Sequence, residues 1–167
     1  MARAALAQLA LDRVLWIPTG APGYRKPPVA AAEHRVAMLR LALQDETRFS
    51  VDERELSAQA SGYTVDTLRA LRRELGPEAE LHLLLGGDQY AAFGTWREPE
   101  EVARLARLAV VARPGFPVEG NRVKSIALPL LAISASGIRA RAARGESLEG
   151  LVPPAVANYI HSHNLYR

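Results

Sequence analysis

Hydrophobic residues recur at helical spacing near the start of the chain and then give way to a short apolar run. Residues 2–11 place Leu6 and Leu9 on one helical face, and residues 14–17 form an apolar run that Pro18 ends. Apolar positions spaced by three and four predict a helix, whereas a short apolar run bounded by proline predicts a buried strand. The chain is therefore predicted to begin with a helix followed by a strand.

The same alternation continues to the C-terminus. Further helices are predicted at residues 33–43, 65–75 and 98–107 and from Pro153 onwards, and further strands at 49–51, 81–85, 108–112 and 125–128. Thr64 is the predicted N-cap of one helix, which Gly76 and Pro77 end. Continuously apolar strands alternating with helices predict an α/β fold with a parallel sheet covered by helices on both faces.

Composition indicates one soluble globular domain spanning residues 1–167. The chain of 167 residues is 49% hydrophobic and 23% charged, and its formal charge of +3 is spread along the sequence. Anionic small molecules suit this charge as well as nucleic acid does, so nucleic-acid binding is not indicated. The absence of cysteine excludes disulfides and thiolate metal sites, and the cytoplasm is the simplest expected location. No apolar run reaches the roughly 20 residues of a membrane helix.

A serine and arginine segment follows the last apolar stretch. Ser134 and Ser136 stand where a helix is predicted to begin, and Arg139 lies one turn into it. Hydroxyl caps, the free N–H groups of a helix N-terminus and a guanidinium fork together favour a phosphate. A plain capped helix with solvated arginines explains the same pattern, and from this segment alone both interpretations stay open.

Polar signals also follow other predicted strands. In a parallel sheet, ligands bind beyond the carboxyl ends of the strands. Arg25 lies in the loop after the first strand, Gly86 and Asp88 follow the third, and Arg113 follows the fourth. For the loop of Arg25 the alternative is a solvated turn. For Asp88 it is a cap of the following helix, and for Arg113 it is an exposed surface position.

Trp96 lies in a loop, where an indole either stacks on a flat heterocycle or covers the core. Four histidines are present, and the two near the C-terminus, His161 and His163, do not share a helical face. No carboxylate cluster accompanies them. The sequence therefore assigns no metal site.

Taken in order, several segments resemble the bacterial nicotinate mononucleotide adenylyltransferases of the nucleotidyltransferase superfamily. The matching pieces are IPTGAPGYR (17–25), SGYTVDTL (61–68), LGGDQ (85–89), TW (95–96), VVARPGFP (110–117), ISASGIR (133–139) and the terminal LYR (165–167). The resemblance runs over essentially the whole chain and implies a Rossmann-like nucleotidyltransferase fold.

The resemblance also implies the roles of individual residues. It assigns Ser134, Ser136 and Arg139 to the triphosphate of ATP, with Arg139 as the catalytic residue, and Gly86 and Asp88 to its adenosine. Tyr63 and Thr64 would lie by the nicotinate carboxylate, with Trp96 stacked on the pyridine ring. Arg113 would lie near the bound nucleotide and Arg25 near its phosphate.

One departure from the family pattern lies at the start of the sequence. The superfamily begins with a central strand and a glycine-rich turn ending in a His-x-Gly-His motif, and neither is found in this sequence. Losing a central strand would leave buried backbone groups unpaired, at ~1 to 3 kcal/mol each. The sequence as written is therefore expected to be unstable or inactive, and the complete gene product to be an enzyme.

The implied reaction is adenylyl transfer from ATP to nicotinate mononucleotide, with Mg²⁺ held mostly by substrate oxygens and water. Two alternatives stay open. One is transfer to another phosphate acceptor, and the other is a catalytically impaired fragment that only binds nucleotide. The expected partners are small molecules rather than nucleic acid or membrane, and homo-oligomerisation is left open.

Overall fold

The computed structural model describes residues 1–20, 28–112, 123–128 and 133–167. Within these ranges the helices are α1 (Ala2–Gln8), α2 (Ala32–Leu43), α3 (Thr64–Leu75), α4 (Gly87–Ala91), α5 (Pro99–Leu105), α6 (Ala135–Ala143) and α7 (Pro154–Ser162). The strands are β1 (Val14–Trp16), β2 (Phe49–Val51), β3 (His82–Gly86), β4 (Arg107–Val111) and β5 (Val123–Ile126). Short 3-10 helices cover Arg54–Leu56 and Phe93–Thr95.

The chain divides into two compact units, each built from two separate parts of the sequence. The first comprises Met1–Val14 and Ser61–Leu130, and the second comprises Leu15–Ala60 and Leu131–Arg167. Each unit has a hydrophobic core of its own. The expectation of a single domain stays a prediction.

The first unit contains a parallel sheet in the order β3, β4, β5. Both pairings are parallel, and Val110 in the middle strand lies opposite Leu85 on one side and Ser125 on the other. The apolar runs that form β3, β4 and β5 therefore do pair in parallel, as the alternation with helices indicated. Because β4 has a strand on each side, its side chains are the most completely enclosed, and Ala109 and Val110 are fully buried.

Helices cover both faces of this sheet, as predicted. Side chains alternate between faces along a strand. On one face, α1 contributes Ala5 to a cluster with Leu84, Ala109, Val111 and Ile126. On the opposite face, Leu85, Leu108 and Val110 pack against Tyr90, Phe93 and Trp96. Next to this second cluster, Val65 of α3 and Val102 of α5 pack over Leu83.

Helix α3 begins one residue earlier than predicted, and Thr64 is not its N-cap. The N-cap is Tyr63, whose carbonyl accepts hydrogen bonds from the N–H groups of Asp66 (3.1 Å) and Thr67 (3.3 Å). The Ser61 hydroxyl accepts from the Tyr63 N–H (3.2 Å) and lies 2.7 Å from the Asp66 carboxylate. This serine and aspartate close the turn in place of a threonine cap.

The second unit packs α2, α6 and α7 around a core of Ala142, Leu148, Val156 and Ile160. Strands β1 and β2 form a two-stranded sheet, and the Asp52 N–H donates to the Trp16 carbonyl (2.9 Å) just beyond it. After β1 the backbone of Gly20 lies directly against the carbonyl of Glu55, leaving no space for a Cβ atom. Glycine is required there by close approach of two backbone segments.

Arg72 holds the C-terminal end of α3 to the loop that follows and to α5. Its guanidinium donates to the carbonyls of Gly76 (3.5 Å), Pro77 (3.3 Å), Ala79 and Leu105 (2.7 Å). One side chain thus donates hydrogen bonds to carbonyl groups of the loop after α3 and to the carbonyl of Leu105, the last residue of α5. Carbonyls at helix ends and in turns need such partners because they have none within the helix.

Substitution of Arg72 by methionine is expected to lower the free energy of unfolding by about 2 kcal/mol, because the apolar stem is kept while several partly buried carbonyls lose their donor. Urea unfolding followed by circular dichroism measures this loss. Arg73→Met is the matched control, since Arg73 is the exposed next residue of the same helix. The control should change stability by no more than ~0.5 kcal/mol. Equal losses in the two variants would contradict the role of Arg72.

Candidate functional site

The end of β3 brings Gly86 and Asp88 to the carboxyl edge of the parallel sheet. Gly86 lies opposite Val111, the last residue of β4, and is the N-cap of α4. Gly87 is buried, and Asp88 lies in the first turn of α4. Asp88 therefore does not cap this helix, which corrects the alternative considered from the sequence. The half-buried carboxylate lies at the sheet edge where ligands of such folds bind.

An aromatic row begins in α4 and continues beyond its end. Tyr90 stacks on Phe93 with ring centroids 6.5 Å apart, and Phe93 lies 5.5 Å from Trp96 in a tilted arrangement. Trp96 is half-buried and packs on the sheet cluster that contains Leu108. Covering the core, the alternative weighed from the sequence, is thus part of what Trp96 does. Its stacking on a pyridine ring stays a prediction.

Tyr63 and Thr64 stand at the start of α3. The Tyr63 ring packs against the cluster of Val65 and Val102, which Phe93 also contacts. The guanidinium of Arg97 lies over the same ring, 4.6 Å from its centroid. This cation–π contact places Arg97 beside two of the predicted substrate-binding residues, and sequence reasoning missed it. The only signal in the sequence was its position directly after Trp96.

A carboxylate network lies next to this contact. Arg69 of α3 donates to both oxygens of Glu98, at 3.3 and 2.5 Å, and Arg104 donates to both oxygens of Glu101 at 2.7 Å. The hydrogen bond with Glu98 raises the pKa of the Arg69 guanidinium, and the hydrogen bond from Arg104 lowers the pKa of the Glu101 carboxyl. The Glu101 carboxyl therefore stays charged near neutral pH.

Helix α6 begins at the position that the serine and arginine segment predicted for the start of a helix. Ser134 is the N-cap, and its hydroxyl accepts from the Gly137 N–H at 3.1 Å. The Ser136 hydroxyl lies 3.2 Å from that of Ser134 and does not itself cap the helix. The first turn carries no acidic residue. The positive end of this helix is therefore exposed, and no carboxylate of its own first turn lies there.

Arg139 differs from Arg141 of the same helix and from Arg144 at its C-cap. Its half-buried side chain makes no hydrogen bond or ion pair with any other residue in the described ranges. By contrast, Arg141 donates to the Ser147 carbonyl (3.2 Å) and lies 3.5 Å from Glu146, and Arg144 also pairs with Glu146. Arg139 thus keeps its fork of donors available one turn from the helix start.

The structure distributes the predicted site residues over its two units. Gly86, Asp88, Tyr63, Thr64 and Trp96 belong to the first unit, and Ser134, Ser136 and Arg139 to the second. Arg25 and Arg113 lie outside the described residues. Convergence of all these residues on one nucleotide stays a prediction.

Two further findings concern only the part of the chain that the structure describes. No three side chains of histidine, cysteine, aspartate or glutamate are grouped there so as to hold a metal ion. Among the helices of that part, none has both the length and the apolar character needed to span a membrane.

A parallel sheet with helices on both faces places this protein in the α/β class. Residues 1–141 match a family model described as "Cytidylyltransferase-like". A protein of Laribacter hongkongensis named "Probable nicotinate-nucleotide adenylyltransferase" is 44% identical over 190 residues, covering 100% of this chain and 86% of its own length. A protein of Chromobacterium violaceum with the same name is 44% identical over 191 residues, covering 100% and 90%.

A solved structure of the Plasmodium falciparum nicotinic acid mononucleotide adenylyltransferase complexed with NaAD superposes with a TM-score of 0.79. It covers 98% of this chain and 89% of its own at 18% identity, a likeness that speaks for the fold alone. This protein belongs to the nicotinate-nucleotide adenylyltransferase family of nucleotidyltransferases. The family resemblance of the sequence motifs and the Rossmann-like fold are thereby confirmed.

Proposed function

We propose that this protein transfers the adenylyl group of ATP to nicotinate mononucleotide, yielding nicotinate adenine dinucleotide and pyrophosphate in NAD biosynthesis. The observation that carries the proposal is the 44% identity over the full chain to relatives that bear this activity in their names. The capped, acid-free start of α6 and the uncommitted Arg139 add a phosphate-binding arrangement of the matching chemistry.

The chemistry is a single in-line displacement. An oxygen of the 5′-phosphate of nicotinate mononucleotide forms a bond to the α-phosphorus of ATP, while the bond from that phosphorus to the bridging oxygen of the β-phosphate breaks. Pyrophosphate leaves with the electron pair, and no proton has to move because the attacking phosphate is already an anion. Catalysis therefore consists of positioning and of neutralising charge on the leaving group.

The second unit supplies groups suited to the leaving pyrophosphate. The N–H groups at the start of α6 present the positive end of the helix dipole to an anion. The Arg139 guanidinium can donate two parallel hydrogen bonds to two phosphate oxygens. Ser134 and Ser136 complete the proposed triphosphate site.

The first unit supplies groups suited to the two nucleosides. The Asp88 carboxylate is proposed to accept from the ribose hydroxyls of the adenosine, where Gly86 lets backbone approach closely. Thr64 and Tyr63 are proposed to lie by the carboxylate of the nicotinate ring, with Trp96 on its face. Arg25 and Arg113 are proposed to contact the acceptor phosphate and the bound nucleotide.

Magnesium belongs to the proposal as an ion carried by the substrate. When bound, it neutralises charge on the phosphate oxygens. Mg²⁺ keeps several waters and commonly takes only one or two protein carboxylates, so we propose an ion held mostly by substrate oxygens and water. We further propose a cytoplasmic enzyme whose partners are small molecules rather than nucleic acid or membrane.

Pyrophosphate release tests the proposed function. The purified chain with ATP and nicotinate mononucleotide should release pyrophosphate and form the dinucleotide in equal amounts, measured by coupled assay and chromatography. Pantetheine phosphate, choline phosphate and glycerol phosphate, and CTP in place of ATP, should give no comparable rate. Calorimetric binding of ATP without any pyrophosphate release would instead favour a catalytically impaired fragment, and a faster reaction with another acceptor would overturn the assignment of nicotinate.

A further inference from the structure

We propose that the imidazoles of His34 and His163 bind one divalent transition-metal ion of the zinc class on the second unit. This site is separate from the proposed nucleotide site and from the Mg²⁺ proposed to accompany ATP. Three observations point to it: the distance between the two rings, the hydrogen bonds that hold them and the ring nitrogens that those bonds leave free.

The two histidines belong to helices that pack on a common core. His34 lies near the start of α2, and His163 is the C-cap of α7. Met38 of α2 packs on the cluster that contains Ile160 of α7. Packed helices rather than a loop therefore fix the backbone of both histidines, as a preformed site requires. Because the two residues are far apart in the sequence, no spacing motif indicated the pair.

The separation of the rings is that of two ligands of one ion. The centroids of His34 and His163 lie 5.4 Å apart, and the ring planes are inclined by 67°. Two imidazoles bound to one tetrahedral zinc, with Zn–N distances of about 2.0 to 2.1 Å, have centroids roughly 5 Å apart. Binding of one ion by both rings therefore requires no displacement of either helix.

Tyr159 holds both rings through their Nδ1 atoms. The His163 Nδ1 lies 3.0 Å from the Tyr159 carbonyl, which can only accept, and 3.0 Å from the Ser162 hydroxyl, which itself donates to that carbonyl at 3.2 Å. The hydrogen of the neutral His163 ring is therefore on Nδ1, and Nε2 carries the lone pair. The Tyr159 hydroxyl lies 3.0 Å from the His34 Nδ1, and the Tyr159 ring stacks on His163 at 3.9 Å.

The Nε2 atoms are the nitrogens left for a ligand. Neither has a hydrogen-bond partner within the described ranges. Metal-binding histidines almost always donate their other N–H to a carbonyl or a similar acceptor, which fixes the tautomer and orients the ring. The Tyr159 carbonyl does this for His163, and the Tyr159 hydroxyl can accept from the His34 Nδ1 in the same way.

The donor set selects the kind of ion. Imidazole nitrogen suits Zn²⁺, Ni²⁺ and Cu²⁺, whereas Mg²⁺ and Ca²⁺ prefer oxygen ligands. Two histidines leave the other positions of a tetrahedral ion to water. His163 is exposed and His34 is half-buried, so a hydrated ion can reach the pair from solvent.

Calorimetric titration with ZnCl₂ tests the site on the full chain, without a histidine tag and after metal removal with EDTA and dialysis. One Zn²⁺ per chain should bind at neutral pH, and excess Mg²⁺ should not displace it. Zn²⁺ should also raise the midpoint of thermal unfolding, because a ligand of the folded state stabilises that state. His34→Gln and His163→Gln should each weaken binding by at least about tenfold, and Tyr159→Phe, which removes only the hydroxyl, by roughly tenfold.

His161→Gln is the matched control, because His161 lies on α7 but not on the helical face of His163. Its affinity for Zn²⁺ should equal that of the unmodified protein. Circular dichroism without metal checks the fold of each variant, and His163→Gln, at an exposed position, is expected to keep it.

The outcomes decide the site without deciding the proposed function. Absence of saturable Zn²⁺ binding by the unmodified protein would overturn the site and would leave the two rings as a packing contact between α2 and α7. Equal losses of affinity in His161→Gln and His163→Gln would overturn it as well. Adenylyl transfer would stand in both cases, since neither histidine is placed at the nucleotide. Loss of affinity at positions 34 and 163, with full affinity at 161, supports the site.

Discussion

Arg139→Ala is expected to lower the turnover of adenylyl transfer by about 100- to 1000-fold, the usual effect of removing one donor to developing negative charge. The guanidinium has no described protein partner to lose, so folding should be unaffected. Its contribution arises as charge develops on the departing pyrophosphate. For this reason kcat should fall more than the KM for ATP changes. Steady-state pyrophosphate release and a thermal unfolding curve measure the two quantities.

Two variants make this prediction specific. Arg139→Lys retains the charge without the bidentate fork and should give an intermediate rate. Arg141→Ala removes a guanidinium from the same helix, but one already committed to Ser147 and Glu146, and should retain nearly full turnover. Unchanged turnover in Arg139→Ala would remove this residue from the phosphate site. Equal losses in the variants at 139 and 141 would indicate a general effect of helix charge.

Val110→Asp is expected to prevent folding of the first unit. Val110 is fully buried in the middle strand of the parallel sheet, between Leu85 and Ser125. An isolated carboxylate there has neither water nor a cation, and its burial costs several kcal/mol of a total stability of only ~5 to 15 kcal/mol. Far-ultraviolet circular dichroism and urea unfolding would report the loss.

The matched control is Ser125→Asp, which places the same carboxylate on the register partner of Val110. Ser125 is exposed on β5, so this change should alter stability by no more than ~0.5 kcal/mol. Val110→Ala provides a graded step of about 2 kcal/mol, because it removes buried apolar volume without adding charge. A folded Val110→Asp protein with normal stability would show that β4 is not the enclosed strand described.

Helices and strands whose pattern depends on neighbouring residues were predicted well. β2 occupies Phe49–Val51 as the apolar run indicated, and α3 ends at Leu75 before Gly76. Helix α4 was considered from the sequence only as a helix capped by Asp88, because the two glycines after β3 indicated a break. It begins at Gly87 instead, and its Tyr90 packs on the sheet beside Phe93 and Trp96.

Boundaries and partners set by distant residues were predicted less well. Thr64 lost the role of N-cap because Ser61 and Asp66 close the turn from either side of it. Helix α5 is shorter than predicted because Glu98 takes a positive φ of 51° and the chain is already extended at Ala106. Ser134, in contrast, caps α6 as expected, since a cap needs only the N–H groups of the next turn.

The amino-acid sequence by itself determined the alternation of apolar strands and helices, the parallel sheet covered on both faces and, through its ordered motifs, membership of the family. The tertiary structure decided which arginine side chains are paired with other residues and which have no such partner in the described ranges. Arg69 and Arg72 are bound to groups from other elements, whereas Arg139 is uncommitted in the described ranges and Arg97 stacks on Tyr63. The reason is physical: periodicity reports which face of an element is buried, but a guanidinium finds its partner on an element far away in the sequence.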